Sequence, residues 1–247
     1  MKTPAVLLTA EKIRTCLIAK DRLNDTIIRL RLGIPETGYD YYAGQYLTLY
    51  NNQGVGRTYC LSSVPGLDDF LELQICLTPH GALTSWIYGE LKAGDQVRIS
   101  PASGDCFYLP GNNRQPIMLI GTGIALAALY GILRDALIKN KHKGDIRLFH
   151  QTHSPDEYYL IQELMALQAK YPNFSYTHFI HCKNPVNIDV SARSTSEMAF
   201  GTIGQLSHWQ LFLCGDPSVI KEVKQDAFLL GAKEKNIFEM PFTLPGE

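Results

Sequence analysis

Residues 117–125 read Ile117-Met118-Leu119-Ile120-Gly121-Thr122-Gly123-Ile124-Ala125, and the fold follows from how this stretch is read. A continuous apolar run ahead of a glycine fits a strand covered on both faces, as in a parallel sheet. Beyond the glycines, Leu126, Leu129, Leu133 and Leu137 recur near helical spacing, so the segment predicts strand, tight turn and helix. Glycines at such a turn let the backbone approach a pyrophosphate, and the open amides of the helix start attract its charge. The third glycine of the usual dinucleotide fingerprint is missing. Taken alone, the turn fits a plain strand-to-helix connection equally well.

Toward the C-terminus the same rhythm continues. Residues 146–150 predict a second strand. Ser154-Pro155-Asp156-Glu157 predicts the start of a helix, with proline near its first turn and acids favoured by the helix dipole. Leu160, Leu164 and Leu167 would be its buried stripe. Residues 174–180 and 210–213 predict further strands, 217–231 a helix and 237–239 a last strand. Strand and helix in alternation imply a parallel sheet with right-handed crossovers, a doubly wound nucleotide-binding domain. Cys214-Gly215-Asp216-Pro217 falls where a parallel strand ends, the ligand edge of an open sheet. A buried cysteine followed by a turn is the alternative.

Toward the N-terminus the pattern differs. Short alternating runs at 27–32, 45–50, 71–76 and 97–99, with a helical interruption at 84–91, predict a small antiparallel barrel. The polar stretch Gly111-Asn112-Asn113-Arg114-Gln115-Pro116 suits a boundary, giving a β-barrel domain at 1–113 and an α/β domain at 114–247. Two motifs stand out in the barrel half. In Arg57-Thr58-Tyr59-Cys60-Leu61-Ser62-Ser63, an arginine can hold a phosphate bidentately. The tyrosine two residues on shares its side of a strand, so its ring can lie against a flat heterocycle; in isolation an ordinary core tyrosine beside a surface arginine is the better reading. Gly81-Ala82-Leu83-Thr84-Ser85 offers a glycine, two hydroxyls and a helix start, which suits an anion or a simple helix cap.

Composition sets the limits. With 247 residues, 45% of them hydrophobic, the chain can bury the cores of two domains. A net charge of -1 gives no global attraction to nucleic acid or an anionic membrane. Cys16, Cys60, Cys76, Cys106, Cys182 and Cys214 form no C-x-x-C pair, so zinc-ribbon, thioredoxin-like and iron–sulfur readings find no support and no metal is expected. Scattered free thiols suit a reducing compartment. Residues 4–10 are too short an apolar run for a signal core, and no run approaches a membrane span. A cytoplasmic location is expected.

The order of these four motifs resembles the ferredoxin-NADP reductase family across nearly the whole chain. The resemblance implies an antiparallel Greek-key FAD-binding barrel followed by a doubly wound NAD(P)-binding domain. Arg57 would clamp the FAD pyrophosphate, Tyr59 would stack on the isoalloxazine, and Thr58, Cys60 and Ser62 would complete that wall. Gly81, Leu83, Thr84 and Ser85 would serve the same phosphates, while backbone groups from Ile75 to Leu77 line the ring. The segment 101–107 is similar to the family's Pro-x-Gly-x-Phe closing segment, one residue longer. Gly121, Thr122 and Gly123 would meet the dinucleotide pyrophosphate, with Cys214, Gly215 and Asp216 beside the nicotinamide.

Three departures bear on chemistry. Cys60 stands where many relatives carry a serine, and a thiol is a weaker donor to a flavin nitrogen. Leu126 replaces a frequent proline. The terminal Phe238-Glu239-Met240-Pro241-Phe242 only approximates the family's pattern: Glu239 either assists at the nicotinamide or is a sheet-edge glutamate, and Phe242 either shields the flavin or packs. Cys60, Cys214 and Glu239 are therefore the candidate catalytic residues. For the extra phosphate of NADP, His181-Cys182 stands where relatives often carry Ser-Arg, but Lys183 and Arg193 supply charge, favouring NADP over NAD. The implied activity is hydride transfer between NAD(P)H and FAD, with electrons passed to a separate acceptor such as a ferredoxin, a flavodoxin, an oxygenase component or a small molecule. A reductase of free flavin and a non-catalytic redox sensor or regulatory subunit are the competing readings.

Overall fold

A computed structural model of the chain describes residues 12–77, 81–181, 190–191 and 194–242. The first lobe contains β1 (Ile13–Arg22), β2 (Ile27–Gly33), β3 (Tyr46–Tyr50), β4 (Gly56–Cys60), β5 (Phe70–Cys76), α1 (Ala82–Gly89) and β6 (Gln96–Ile99). Its strands form an antiparallel sheet in the order β4-β3-β6-β1-β2-β5. The two edges meet at a bridge between Leu61 and Leu73, and the amide of Ser62 donates to the Glu72 carbonyl at 2.9 Å. The result is a closed barrel. Alternation explains its core: Leu71, Leu73 and Ile75 of β5 are each 0% exposed and pack with Leu30, Leu32, Leu47 and Leu49. The long first strand, β1, carries a bulge between Leu17 and Ala19, which breaks its inside–outside alternation.

The second lobe contains β7 (Ile117–Thr122), a 3₁₀ turn (Gly123–Ala125), α2 (Leu126–Arg134) with a π-helical continuation (Asp135–Lys139), and β8 (Ile146–Thr152). It continues through α3 (Ile161–Lys170), β9 (Phe174–His181), β10 (Val190–Ser191), α4 (Thr195–Phe200), β11 (Gln210–Gly215), α5 (Pro217–Leu229) and β12 (Ile237–Pro241). The sheet order β10-β9-β8-β7-β11-β12 is parallel, with the connection reversing direction between β7 and β11. Leu126, Leu129, Leu133 and Leu137 all enter one core cluster, as their spacing predicts. The helix expected from Ser154 begins later. Pro155–Glu157 is a separate 3₁₀ turn, and Leu160 takes a left-handed φ of 56° before α3 starts. The cause lies in the other lobe, where the Asn24 side-chain amide donates to the carbonyls of Asp156 at 2.9 Å and Tyr158 at 3.0 Å.

The lobes meet along α2. A Cβ at Gly131 would come within 2.9 Å of the Leu61 carbonyl oxygen, and one at Gly44 within 2.6 Å of Ile132, so backbone packs against helix at both points. Arg134 grips Asp68 bidentately at 2.9 and 2.7 Å and also donates to the Ser62 carbonyl at 3.4 Å. Glu72 and Gln74, on the outward face of β5, are 4% and 2% exposed. A face that reads as polar thus lies at an interface rather than in water.

Candidate functional site

A cleft of about 490 Å³ opens where the lobes join. Along one side of it lie Arg57, Thr58, Tyr59 and Cys60, consecutive residues of β4. Alternation alone would give the cleft only every second residue. All of them border it because β4 is the edge strand: it pairs with β3 on one side, and beyond the Leu61 bridge its other side is open. Arg57 is exposed, its guanidinium donating only to the neighbouring Gly56 carbonyl at 2.9 Å among the described contacts. Tyr59 is half-buried, and burial raises its phenol, so it stays neutral. Burial pushes the Cys60 thiol up to about 12, so it is a protonated, weak donor.

Opposite β4, the start of α1 brings Gly81, Leu83 and Thr84 to the cleft. The N-cap is Gly81, which has no side chain to cap the helix, and the Thr84 hydroxyl donates to the Gly81 carbonyl at 3.0 Å. The positive end of the helix dipole faces the cleft here. The chain's last described residues, Met240, Pro241 and Phe242, close the cleft from the second lobe. The Phe242 amide donates to the Gly215 carbonyl at 2.9 Å, and Met240 Sδ lies 4.0 Å from Cys60 Sγ. Tyr46, Gln74, Cys76, Ile124 and Ala127 complete the walls and floor.

The crevice at the β7–β11 switch point lies beside this cleft. Gly121 pairs across the sheet with Cys214. Thr122 Oγ1 accepts from the Asp216 amide at 2.9 Å, which ties the two strand ends together. That approach requires glycine at position 215, where φ is 128° and a Cβ would overlap the Thr122 hydroxyl. Asp216 caps α5 by accepting from the amides of Ser218 at 2.8 Å and Val219 at 3.1 Å. Hydrogen bonding from the Ser218 hydroxyl, followed by those amides, lowers its carboxyl below the usual range. Gly123, with φ of 50°, turns the chain into α2.

The remaining sequence candidates are placed as follows. Ser62 is fully buried, its hydroxyl spent on Glu72. The Ile75 side chain faces the barrel core, while Leu77 is exposed and its amide donates to Thr26 at 2.7 Å. Ser85 lies on the exposed side of α1. Cys214 is buried under the seam with its Sγ 3.7 Å from Cys106 Sγ, and that contact, then burial, raises its thiol. Glu239 projects from the face of β12 opposite Met240 and pairs with Lys224 at 3.1 Å. Arg193, Cys182 and Lys183 lie outside the described residues. Cys76, inside the 75–77 stretch expected at the ring, does line the cleft, and residues the motifs gave no role are Tyr46, Gln74, Ala127 and Met240. Met240 carries a signal only in hindsight, as the strand neighbour of Glu239 that must face the other way.

Two family models match in tandem: an oxidoreductase FAD-binding domain over residues 15–108 and an oxidoreductase NAD-binding domain over 119–225. The chain belongs to the ferredoxin-NADP reductase family. It is 25% identical, over 94% of its length and 70% of the relative's, to the ferredoxin–NAD(P)(+) reductase component of the naphthalene 1,2-dioxygenase system of Pseudomonas putida. A ferredoxin NADP+ reductase from Neisseria gonorrhoeae with bound FAD and NADP superposes with a TM-score of 0.75 at 20% identity, covering 94% of this chain and 99% of that one. The cytochrome P450 reductase of Amycolatopsis gives 0.81 at 24% identity, with coverage of 95% and 70%. The next curated relatives are longer, and the chain spans about three-fifths of them.

The residues present fit the family's cofactors. A cleft bordered by Tyr59, an exposed Arg57, the start of α1 and a buried Gln74 Oε1 that has no donor among the described residues suit FAD. The glycine turn and strand ends at Gly121, Thr122, Gly123 and Gly215 suit the nicotinamide dinucleotide. When bound, the flavin accepts a two-electron hydride and can release electrons singly.

Proposed function

We propose that this chain is an FAD-dependent NAD(P)H oxidoreductase that takes hydride from a nicotinamide cofactor and delivers electrons to a separate acceptor. Supporting this reading is one juxtaposition: Ile124, directly after the Gly121–Gly123 turn, and residues 240–242, paired with Cys214 and Gly215, line the flavin cleft, so the two ligands would meet face to face. In this reading Arg57 and the start of α1 hold the FAD phosphates, and Tyr59 carries the ring. Phe242 covers the ring until the nicotinamide arrives. Positioning supplies the rate, and Cys60 contributes little as a donor. Glu239 acts at most through Lys224, from the far face of the sheet.

The acceptor is proposed as a redox protein, a ferredoxin, a flavodoxin or an oxygenase component, in line with the naming of the relatives as reductase components. The domain division is proposed at 113/114, where the lobe-linking stretch ends just before β7. Among the described residues no helix is long and apolar enough to cross a membrane, and a cytoplasmic setting is proposed. NADP is proposed over NAD on the charge of Lys183 and Arg193. Comparing kcat/KM for NADPH and NADH checks this, and an Arg193→Ala chain unchanged toward NADPH would remove the reason for it.

Anaerobic mixing of the FAD-loaded chain with NADPH or NADH tests the whole. Bleaching of the flavin band is expected; a band that persists with both nucleotides would leave only the sensor reading. A free-flavin reductase would shed FAD on gel filtration, whereas an electron-transfer component would keep it.

A further inference from the structure

Behind the turn at residues 123–125 lie two buried side chains that no motif named. His150 of β8 is 0% exposed, and its Nε2 lies 2.8 Å from the Gly123 carbonyl oxygen. A carbonyl only accepts, so Nε2 carries the proton. Nδ1 then accepts from the Tyr176 hydroxyl at 3.5 Å. Tyr159, 3% exposed and edge-on to His150, donates its hydroxyl to the Ile124 carbonyl at 3.2 Å. Consecutive carbonyls are thus drawn into the protein by separate donors.

The peptide unit is planar and trans, so its N–H points opposite to its C=O. Turning the Gly123 carbonyl toward His150 sends the Ile124 amide the other way. Turning the Ile124 carbonyl toward Tyr159 does the same for the Ala125 amide. Both amides belong to the first turn leading into α2, where intrahelical acceptors are lacking. At this turn an inward carbonyl also removes a negative dipole end from the path of an anion.

We propose that His150 and Tyr159 are positioning residues for the dinucleotide: they fix the 123–125 turn with its amides presented to the pyrophosphate and Ile124 against the flavin. This rests on the reading of the 121–123 crevice as the dinucleotide site. The Leu126 amide also donates to both carbonyls within the 3₁₀ turn, and the strand residue and the loop residue anchor from outside a turn whose Gly123 has a φ of 50°. Asn24 of the barrel lobe, by holding the carbonyls of Asp156 and Tyr158, keeps the Tyr159 segment in place.

The test uses the FAD-loaded full chain and its variants His150→Leu, His150→Gln and Tyr159→Phe. Titration calorimetry gives the Kd for NADP+ and for NAD+, and steady-state assays separate KM from kcat. His150→Leu is expected to weaken the preferred dinucleotide at least tenfold in Kd and KM, with FAD retained and kcat within threefold. His150→Gln keeps a donor and should recover most of that loss, and Tyr159→Phe should cost about threefold. His150→Leu with Kd within twofold of the parent overturns the proposal. So does an equal loss of FAD and dinucleotide in both His150 variants, which marks a purely structural role. If the parent chain itself binds neither nucleotide, the functional reading fails first, and the inference falls with it.

Discussion

The two proposed cofactor sites are built in different ways. The flavin wall is a strand: β4 is held by its ladder to β3, and that regular pairing displays Arg57 and Tyr59 with little help from other side chains. The dinucleotide crevice is made of strand ends and a turn; the ladder stops at Thr122 and Gly215, and beyond it polar side chains add the holding: Thr122 on the Asp216 amide, His150 on Gly123, Tyr159 on Ile124. A strand-borne site should tolerate loss of a side chain as a local loss of affinity. A turn-borne site should lose its geometry when a partner far from the ligand is removed.

The largest break is expected at the seam that aligns the two. Arg134→Met leaves the largely buried Asp68 carboxylate unpaired, a loss of about 3–5 kcal/mol. Chemical denaturation should show it, and a change below about 1 kcal/mol would mean the lobes are aligned by packing at Gly44 and Gly131 alone. Next comes acid stability on the crevice side. Burial lowers His150 to about 3, well below the ordinary 6.5, so the folded chain binds fewer protons than the unfolded one between those values. Its contribution is full above pH 6.5 and is lost as pH falls toward 3, at up to about 1.4 kcal/mol per pH unit. Melting curves of His150→Gln over this window should be flatter than those of the parent.

On the strand side, Arg57→Ala should weaken FAD by roughly tenfold to a hundredfold, the size of a lost charge-assisted phosphate contact of about 1.5–3 kcal/mol. Its apoprotein should melt unchanged, because Arg57 is exposed; flavin fluorescence and calorimetry read the two effects separately. Cys60→Ser should retain FAD and keep or raise the rate of flavin reduction, since a hydroxyl donates better than a thiol. A tenfold slowing in stopped flow would show that the thiol has a positive role. The smallest effect is expected from Glu239→Gln: kcat within twofold, and less than about 1 kcal/mol of stability from a solvent-facing pair with Lys224.

The sequence by itself determined the main strand-and-helix alternation of the second lobe, though not β10 and α4, the barrel character of the first, and the residues standing at strand ends and helix starts. These depend on local periodicity and on glycine and proline, which act over a few residues. Tertiary structure alone decided which faces those residues meet. Glu72 and Gln74 read as the wet side of a strand, yet Glu72 is buried on Ser62 and Arg31 and Gln74 in the wall of the cleft, and Met240 rather than Glu239 faces that cleft because the barrel lies on that side of β12. Asn24 moved the start of α3, and His150 became a support for a turn 27 residues earlier in the chain. Burial and hydrogen-bond partners are set by the element that packs from a distance, and no local pattern in the sequence specifies that element.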